Sequence, residues 1–252
     1  MKNGLTLLLA SALLLLSGCA SDGGVKDGVD VDSAAEANAN LGLRYMQNGN
    51  YELALKKLKR ALDFKRSHAP AHHYLAELYR RLGKYDEADD HFENAIYYSE
   101  GDADLLNNYG AYLCSRKRYS DGEAQFLKVL DKAFYSRQDL VYENLGLCVE
   151  NKPDIKRAEK YLRKALEMNQ QLPKSLLGMA RITLAKGEFL STRAYLQRFN
   201  EISRHTPESL WMGIRAEREL GDKNAIASYG MQLKGKFPDA DETRLYLQSG
   251  GE

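Results

Sequence analysis

Residues 71–95 read AHHYLAELYRRLGKYDEADDHFENA and contain the pattern that decides the fold. Two small residues, Ala76 and Ala88, stand 12 positions apart on either side of the turn sequence Leu-Gly-Lys-Tyr. Bulky apolar side chains such as Leu75 and Phe92 flank them. Two helices approach closely only where side chains are small, so this stretch predicts a helix-turn-helix hairpin.

The same pattern recurs along the chain with a long period. The small residue of the first helix is found at Gly42, Ala76, Gly110, Gly146 and Ala180, with spacings of 34, 34, 36 and 34. A further step of 34 reaches Ile214, beside Gly213. This period is typical of tetratricopeptide (TPR) repeats. We therefore predict an all-α fold, a right-handed superhelical solenoid of about six repeats in a domain over 35–252. The predicted repeats are 35–68, 69–102, 103–136, 139–172, 173–206 and 207–240.

Larger side chains around the small residues are predicted to fill the core of each hairpin. In the first hairpin these core residues are Leu41, Tyr45, Leu58 and Ala61.

The last repeat departs from the regular pattern. The sixth repeat fits only loosely, because Ala225 comes one residue early when distances are counted from Ile214. Terminal repeats of a solenoid are often atypical because they cap the stack.

The first residues have the layout of a secretory signal, with Lys2 followed by the apolar run Leu5–Leu16. This run is too short to cross a bilayer. The Leu-Ser-Gly-Cys sequence that ends at Cys19 resembles the bacterial lipoprotein box. The resemblance implies that residues 1–18 are removed and that Cys19 carries the lipid, which anchors the protein stably.

Residues 19–34 are predicted to be the lipidated cysteine and a flexible linker, because they are rich in Gly, Asp and Ser. Ala20 follows the lipid cysteine where an Asp would signal retention in the inner membrane of enteric bacteria. We therefore expect the protein to be anchored on the periplasmic face of the outer membrane. Removal of residues 1–18 takes away Lys2, so the mature chain has 35 of the 36 basic residues and all 35 acidic ones. A balanced charge of this kind does not favour nucleic acid as a partner.

Residues with chemical potential are few. His68, His72 and His73 cluster, but Pro70 interrupts the spacing and no carboxylate or cysteine stands at ligand distance along the chain. A polar turn between repeats explains them better than a metal site. No catalytic motif or glycine-rich phosphate loop is recognisable. The sequence predicts no enzyme activity, no small-molecule substrate and no cofactor beyond the lipid on Cys19.

Cys114 and Cys148 fall in the first helices of adjacent repeats. An oxidising periplasm permits a disulfide, but the two residues are offset by two positions relative to Gly110 and Gly146. The two cysteines either form a disulfide or are two buried free thiols, and the offset between them favours the free thiols.

The candidate partner-binding residues lie on the concave groove of the first helices. Asn40, Asn108 and Asn144 each stand two residues before the small residue, and an amide can both donate to and accept from an extended peptide backbone. The alternative is that they are merely solvated. Tyr112 and Trp211 are further candidates, although such aromatic residues are more often core. Other TPR domains clamp a terminal carboxylate with a set of Lys and Asn residues, and that set is missing here. At one of its key positions the first four repeats carry Ala39, His73, Asn107 and Glu143.

Four segments resemble the type IV pilus biogenesis lipoproteins of the PilF/PilW kind. They are LLNNYGAYLCSRKRY (105–119), VYENLGLC (141–148), AEKYLRKAL (158–166) and SYGMQLKGKFPDADE (228–242). The likeness extends over nearly the whole mature chain. Its most specific parts are the Asn-Asn-Tyr-Gly helix and the Ser-Tyr-Gly segment, which the generic repeat does not require.

The resemblance implies a pilotin. Such a lipoprotein binds the secretin subunit, brings it to the outer membrane and promotes assembly of the multimeric pore through which the pilus passes. Some members support pilus stability instead. Other open alternatives are a TPR lipoprotein of the outer-membrane β-barrel assembly machinery, and a periplasmic enzyme or regulator of cell-wall synthesis.

Overall fold

The computed structural model describes residues 30–150 and 155–250, and within these ranges the chain forms thirteen helices and no strand. The signal peptide, Cys19, residues 20–29 and the predicted turn at residues 151–154 lie outside the described residues. The helices are α1 Val31–Gln47, α2 Tyr51–Phe64, α3 Ala69–Arg81, α4 Tyr85–Tyr98, α5 Ala103–Ser115, α6 Tyr119–Leu130, α7 Gln138–Glu150, α8 Ile155–Met168, α9 Pro173–Ala185, α10 Phe189–Ile202, α11 Pro207–Leu220, α12 Lys223–Lys236 and α13 Asp241–Gln248.

The first twelve helices pair in chain order into six hairpins. Successive hairpins stack, with α1 on α3, α5 on α7, α7 on α9 and α9 on α11. This is the predicted superhelical solenoid of TPR units. Four residues connect one hairpin to the next, except at 131–137, where seven residues join α6 to α7. The longer connection accounts for the spacing of 36.

Close packing within each hairpin depends on the small residue of its first helix. A Cβ added there would contact a large side chain sixteen residues later: it would lie 2.5 Å from Leu58 at Gly42, 2.8 Å from Phe126 at Gly110 and 2.6 Å from Leu162 at Gly146. Such distances are well inside van der Waals contact, so each of these sites excludes a side chain.

The sixth repeat obeys the same rule once its register is corrected. A Cβ at Gly213 would lie 2.9 Å from Tyr229, again sixteen residues later, so Gly213 and not Ile214 is the close-approach residue. Ala225 then stands at the regular interval of 12. The sixth repeat is therefore regular, and its predicted register was wrong by one residue.

The predicted core position of Leu41 is wrong. Leu41 is 38% exposed, whereas its counterparts Leu75, Leu145 and Met179, each one residue before a close-approach residue, are completely buried. In those repeats the preceding hairpin covers this side of the first helix. No described helix precedes α1, so Leu41 faces solvent.

In the five hairpins whose inner turn the structure describes, the turn contains a residue with positive φ. Gly83 has φ +72°, whereas the third hairpin places Lys117 at φ +63° in the equivalent position, 34 residues later. A left-handed conformation costs a residue with a Cβ roughly 1–2 kcal/mol. Lys117 is therefore a local source of backbone strain.

The predicted linker ends too late, because α1 begins at Val31 and not after residue 34. The Asp30 side chain accepts a hydrogen bond from the Asp32 backbone N–H at 3.1 Å and caps the helix. Asp and Ser are frequent both in linkers and at helix N-caps, so composition did not distinguish the two.

A thirteenth helix follows the six hairpins. It starts 34 residues after α11 and packs on α11 and α12, so it occupies the place of a seventh first helix. Tyr246 of α13 is 4% exposed and lies against Gly230 of α12. The 34-residue period of the hairpins does not predict this helix. Among the described residues, none of the helices combines the length and apolarity needed to span a bilayer.

Candidate partner-binding groove

The first helices bring the predicted asparagines to equivalent positions of the first, third and fourth hairpins. Asn144 donates from Nδ2 to Oδ1 of Asn107 at 3.1 Å, and Asn108 donates to Nε2 of His73 at 3.4 Å. Asn40 is exposed and donates to Glu36 at 2.9 Å within α1. Each amide that donates once retains a second N–H and its oxygen. The asparagines are thus anchored to their neighbours and still have capacity for a peptide backbone.

The bond from Asn108 also fixes the state of His73. Because the Asn108 amide nitrogen can only donate, Nε2 of His73 must present its lone pair, so the ring is neutral. Burial lowers the pKa of His73, which supports the neutral form. This link joins α3 to α5.

Three shallow clefts open along the first helices. The cleft at Asn40, with Leu41 and Arg44 on its wall, measures about 500 Å³. The cleft at Asn108 measures about 240 Å³ and that at Trp211 about 520 Å³. With Gly213 as the close-approach residue, Trp211 stands in the same column as Asn40, Asn108 and Asn144. The corrected register therefore assigns Trp211 to the groove.

Tyr112 is a core residue and not an exposed groove aromatic. It is 4% exposed, its ring centroid lies 4.9 Å from that of Phe92, and its hydroxyl donates to the Tyr85 carbonyl at 3.1 Å. Burial raises the pKa of Tyr112 to about 12. Tyr112 borders the Asn108 cleft, but its main role is to pack α5 against α4.

The positions of the missing carboxylate clamp have structural roles. Ala39 is completely buried, and Asn107 accepts the bond from Asn144. Glu143 is buried and accepts from the backbone N–H of Ser175 at 3.0 Å and from its hydroxyl at 2.9 Å. The Glu143 carboxylate therefore links α7 to α9.

The preference for two free thiols is wrong, since Cys114 and Cys148 form a disulfide with a Cα–Cα distance of 5.4 Å. Equivalent positions on parallel stacked helices point the same way and do not meet. At about 100° per residue, four positions after Gly110 and two after Gly146 lie about 160° apart around the helix. The offset of two residues therefore turns the two cysteine side chains towards each other. It shifts them along the helix axis by only about 3 Å.

The predicted polar turn between repeats holds for His68, which lies in the connection between α2 and α3, but is wrong for His72 and His73. His68 is the N-cap of α3 and accepts from the Ala71 N–H at 3.2 Å, while His72 and His73 lie inside α3, where Pro70 occupies the first turn. Nδ1 of His72 is 2.8 Å from Nδ1 of His91 on α4. In the part of the chain that the structure describes, no three His, Cys, Asp or Glu side chains are arranged to hold a metal ion.

Charged groups connect the clefts. Arg181 donates to both carboxylate oxygens of Glu150, at 2.7 and 2.9 Å, and to Glu208 at 2.8 Å. These bonds raise the pKa of Arg181 and tie α7, α9 and α11 together. In the Asn108 cleft, Arg80 donates to Glu77 at 2.7 Å. Neighbouring carboxylates therefore neutralise the arginines at the Asn108 cleft and on α9.

The fold and groove define a class, the TPR proteins. Models described as "TPR repeat" and "Tetratricopeptide repeat" match residues 42–83 for the former and 69–102 and 141–172 for the latter. Type IV pilus assembly protein PilF of Pseudomonas aeruginosa is 33% identical over 230 residues, which are 90% of this chain and 91% of PilF. The chain belongs to the PilF family of type IV pilus assembly proteins.

Two solved structures agree with this assignment. The structure of Pseudomonas aeruginosa PilF is 32% identical, covers 87% of this chain and 99% of its own, and has a TM-score of 0.79. The crystal structure of PilW, a widely conserved type IV pilus biogenesis factor, is 26% identical, covers 84% of this chain and 98% of its own, and has a TM-score of 0.76. Similarity therefore extends over nearly all of the described residues.

Proposed function

We propose that this protein is a pilotin of the type IV pilus: a lipoprotein of the outer membrane, on its periplasmic face, that binds the secretin subunit and promotes its localisation and multimerisation. Membership of the PilF family over 90% of the chain is the observation that carries this proposal. In the proposed role the protein binds a protein partner and catalyses no reaction. The lipid on Cys19 is the only added group it requires.

The geometry of the groove supports a protein partner. Anchored amides line open clefts along the first helices, and this arrangement suits an extended peptide, whose N–H and C=O groups repeat every residue. The clefts are open, and polar groups line them. These features favour a chain segment over a small enclosed ligand.

Affinity purification tests the partner. The full lipoprotein, tagged at its C-terminus, is purified from detergent-solubilised envelopes, and co-eluting proteins are identified by mass spectrometry. We expect the secretin subunit to co-elute. Recovery of β-barrel assembly subunits in its place, together with normal pili in a strain lacking the gene, would instead assign the protein to that machinery.

Membrane fractionation tests the anchor. Cys19→Ser removes the proposed lipid site, so the variant should be released to the periplasm and the secretin should be mislocalised. Ser17→Ala, in the same segment, is the control and should stay with the outer membrane. A Cys19→Ser protein that still sediments with outer membranes would contradict the lipid anchor.

A further inference from the structure

The cleft at Trp211 differs in chemistry from the rest of the groove. Its walls come from the end of α9, the start of α10 and the length of α11. The residues that matter are Leu184, Phe189, Trp211, Arg215, Arg218 and Glu219. We call this set the Trp211 cleft.

Apolar and cationic groups lie side by side in the Trp211 cleft. The Arg218 guanidinium lies 5.5 Å from the centre of the Trp211 ring, a cation–π distance. Arg218 is also held by the Ser249 hydroxyl, to which it donates at 2.7 Å. The indole and guanidinium are therefore positioned by the fold, with Leu184 and Phe189 beside them.

The charge of this cleft is not neutralised as it is at the Asn108 cleft and on α9. Arg80 and Arg181 are paired with carboxylates. Among the described residues, no carboxylate lies within the 4.0 Å ion-pair distance of Arg215 or Arg218. Glu219 is the one acidic residue of the cleft, so the lining is net positive and complementary to an anion.

We propose that the Trp211 cleft binds an extended segment of the partner protein in which carboxylate side chains alternate with apolar ones. This inference rests on the proposed function, since it names the chemistry that the partner presents to this groove. Alternate side chains of an extended peptide point to opposite sides. A segment lying along α11 would direct its carboxylates to Arg215 and Arg218, and its apolar side chains to Trp211 and Phe189.

Fluorescence tests the proposal directly, because Trp211 is the single tryptophan of the chain. The full-length protein in dodecyl maltoside is titrated with acetyl-Leu-Asp-Leu-Glu-Leu-Asp-amide and with the neutral peptide acetyl-Leu-Asn-Leu-Gln-Leu-Asn-amide. We expect a saturable change in emission with the acidic peptide only, and weaker binding as salt increases. Equal binding of both peptides, or no change with either, would overturn the proposal.

Arg215→Gln is the decisive variant, because Arg215 is exposed and its replacement leaves the packing of α11 intact. Loss of a charge-assisted hydrogen bond should weaken the acidic peptide about tenfold. Arg60→Gln, at an exposed arginine of the second helix α2 and away from the groove of the first helices, is the control and should bind like the unmodified protein. Unchanged affinity in Arg215→Gln would remove the cationic contact from the site.

The chain's own end is the competing occupant. Deletion of Gly251 and Glu252 should leave the emission of Trp211 and the peptide affinity unchanged. An emission shift without peptide would show that the C-terminal carboxylate fills the cleft, and would overturn the proposal.

Failure of this inference and failure of the proposed function are distinguishable. Secretin that co-purifies equally with the unmodified protein and with Arg215→Gln would refute the cleft and leave the pilotin role standing. A chain that binds the acidic peptide but recovers no secretin would refute the pilotin role, while the peptide titration would still support the chemistry of the cleft.

Discussion

At the scale of single residues, the glycines at close approach contribute more to the fold than their small size suggests. Gly110→Ala should lower the free energy of unfolding by about 1–3 kcal/mol, because its Cβ would lie 2.8 Å from the Phe126 ring, which is completely buried and has little room to move. Denaturant unfolding followed by circular dichroism measures the change.

Gly235→Ala provides a matched control of opposite sign. Gly235 lies in α12 with no atom within 4 Å of an added Cβ, so the alanine should stabilise the helix by up to about 1 kcal/mol. If both variants shifted stability in the same direction, the assignment of Gly110 to the close approach would be wrong.

The paired histidines also act at this scale. Nε2 of His72 lies 3.0 Å from the Arg66 carbonyl, to which it must donate, so Nδ1 of His72 accepts from Nδ1–H of His91. Burial, with a further contribution from His72, lowers the pKa of His91 to about 4. The folded pair is therefore neutral at pH 7.

Stability should consequently fall in acid. Between pH 6.5 and about 4 the unfolded chain binds a proton at His91 that the folded chain does not, so the free energy of unfolding decreases as pH falls through this window. His91→Gln keeps a donor for His72 but does not titrate. Melting temperatures at pH 7 and pH 5 should differ less for His91→Gln than for the unmodified protein, and equal differences would exclude the pair as the cause.

At the scale of helices, the disulfide joins α5 to α7 across two repeats. It closes a loop of 34 residues, for which the chain-entropy estimate is about 4 kcal/mol. Unfolding of the Cys19→Ser chain in denaturant, with and without dithiothreitol, should show a loss of this size on reduction. The further double variant Cys114→Ala, Cys148→Ala should not respond to the reductant, and a response there would place the effect elsewhere.

The last helix is a second test at this scale. Tyr246→Ala should destabilise the protein by about 3–5 kcal/mol, because the ring is buried on Gly230 between α11 and α12. Its neighbour Leu245 is 44% exposed, and Leu245→Ala should stay within about 0.5 kcal/mol. Thermal melts of the two variants compare them directly. Equal effects would mean that α13 does not cap the stack.

The helices show how far sequence reasoning extends. The period of about 34 predicted every hairpin from α1 to α12, because close packing demands small residues at fixed intervals. It missed α13, since a single helix has no partner with which to form the pattern. It also placed Leu41 inside, because burial there depends on a preceding hairpin and not on the residue itself.

At the scale of the whole molecule, the groove combines residues from many repeats. Asn108→Ala with Asn144→Ala should weaken secretin binding by roughly 1–3 kcal/mol if the two hydrogen bonds add, on the basis of the proposed function. Calorimetry with purified secretin measures the affinity, and a melting curve detects any loss of structure. Full affinity with a normal melt would move the search to the Trp211 cleft or the convex face.

The candidate site was predictable only in part. The asparagine column follows from register alone, whereas Trp211 joined it only after Gly213 replaced Ile214 as the close-approach residue. Arg215 and Arg218 carried no sequence signal, because an arginine on a helix is usually a solvated charge. Their significance comes from the absence, among the described residues, of a carboxylate within ion-pair distance, which only the tertiary structure reveals.

The bond between Cys114 and Cys148 also has a mechanical consequence. The curvature of a solenoid can change, because each repeat contacts only its neighbours and small rotations at every interface add up. The disulfide between α5 and α7 restricts rotation at one of these interfaces. We therefore expect the interface between the third and fourth hairpins to rotate less than the others when the curvature changes.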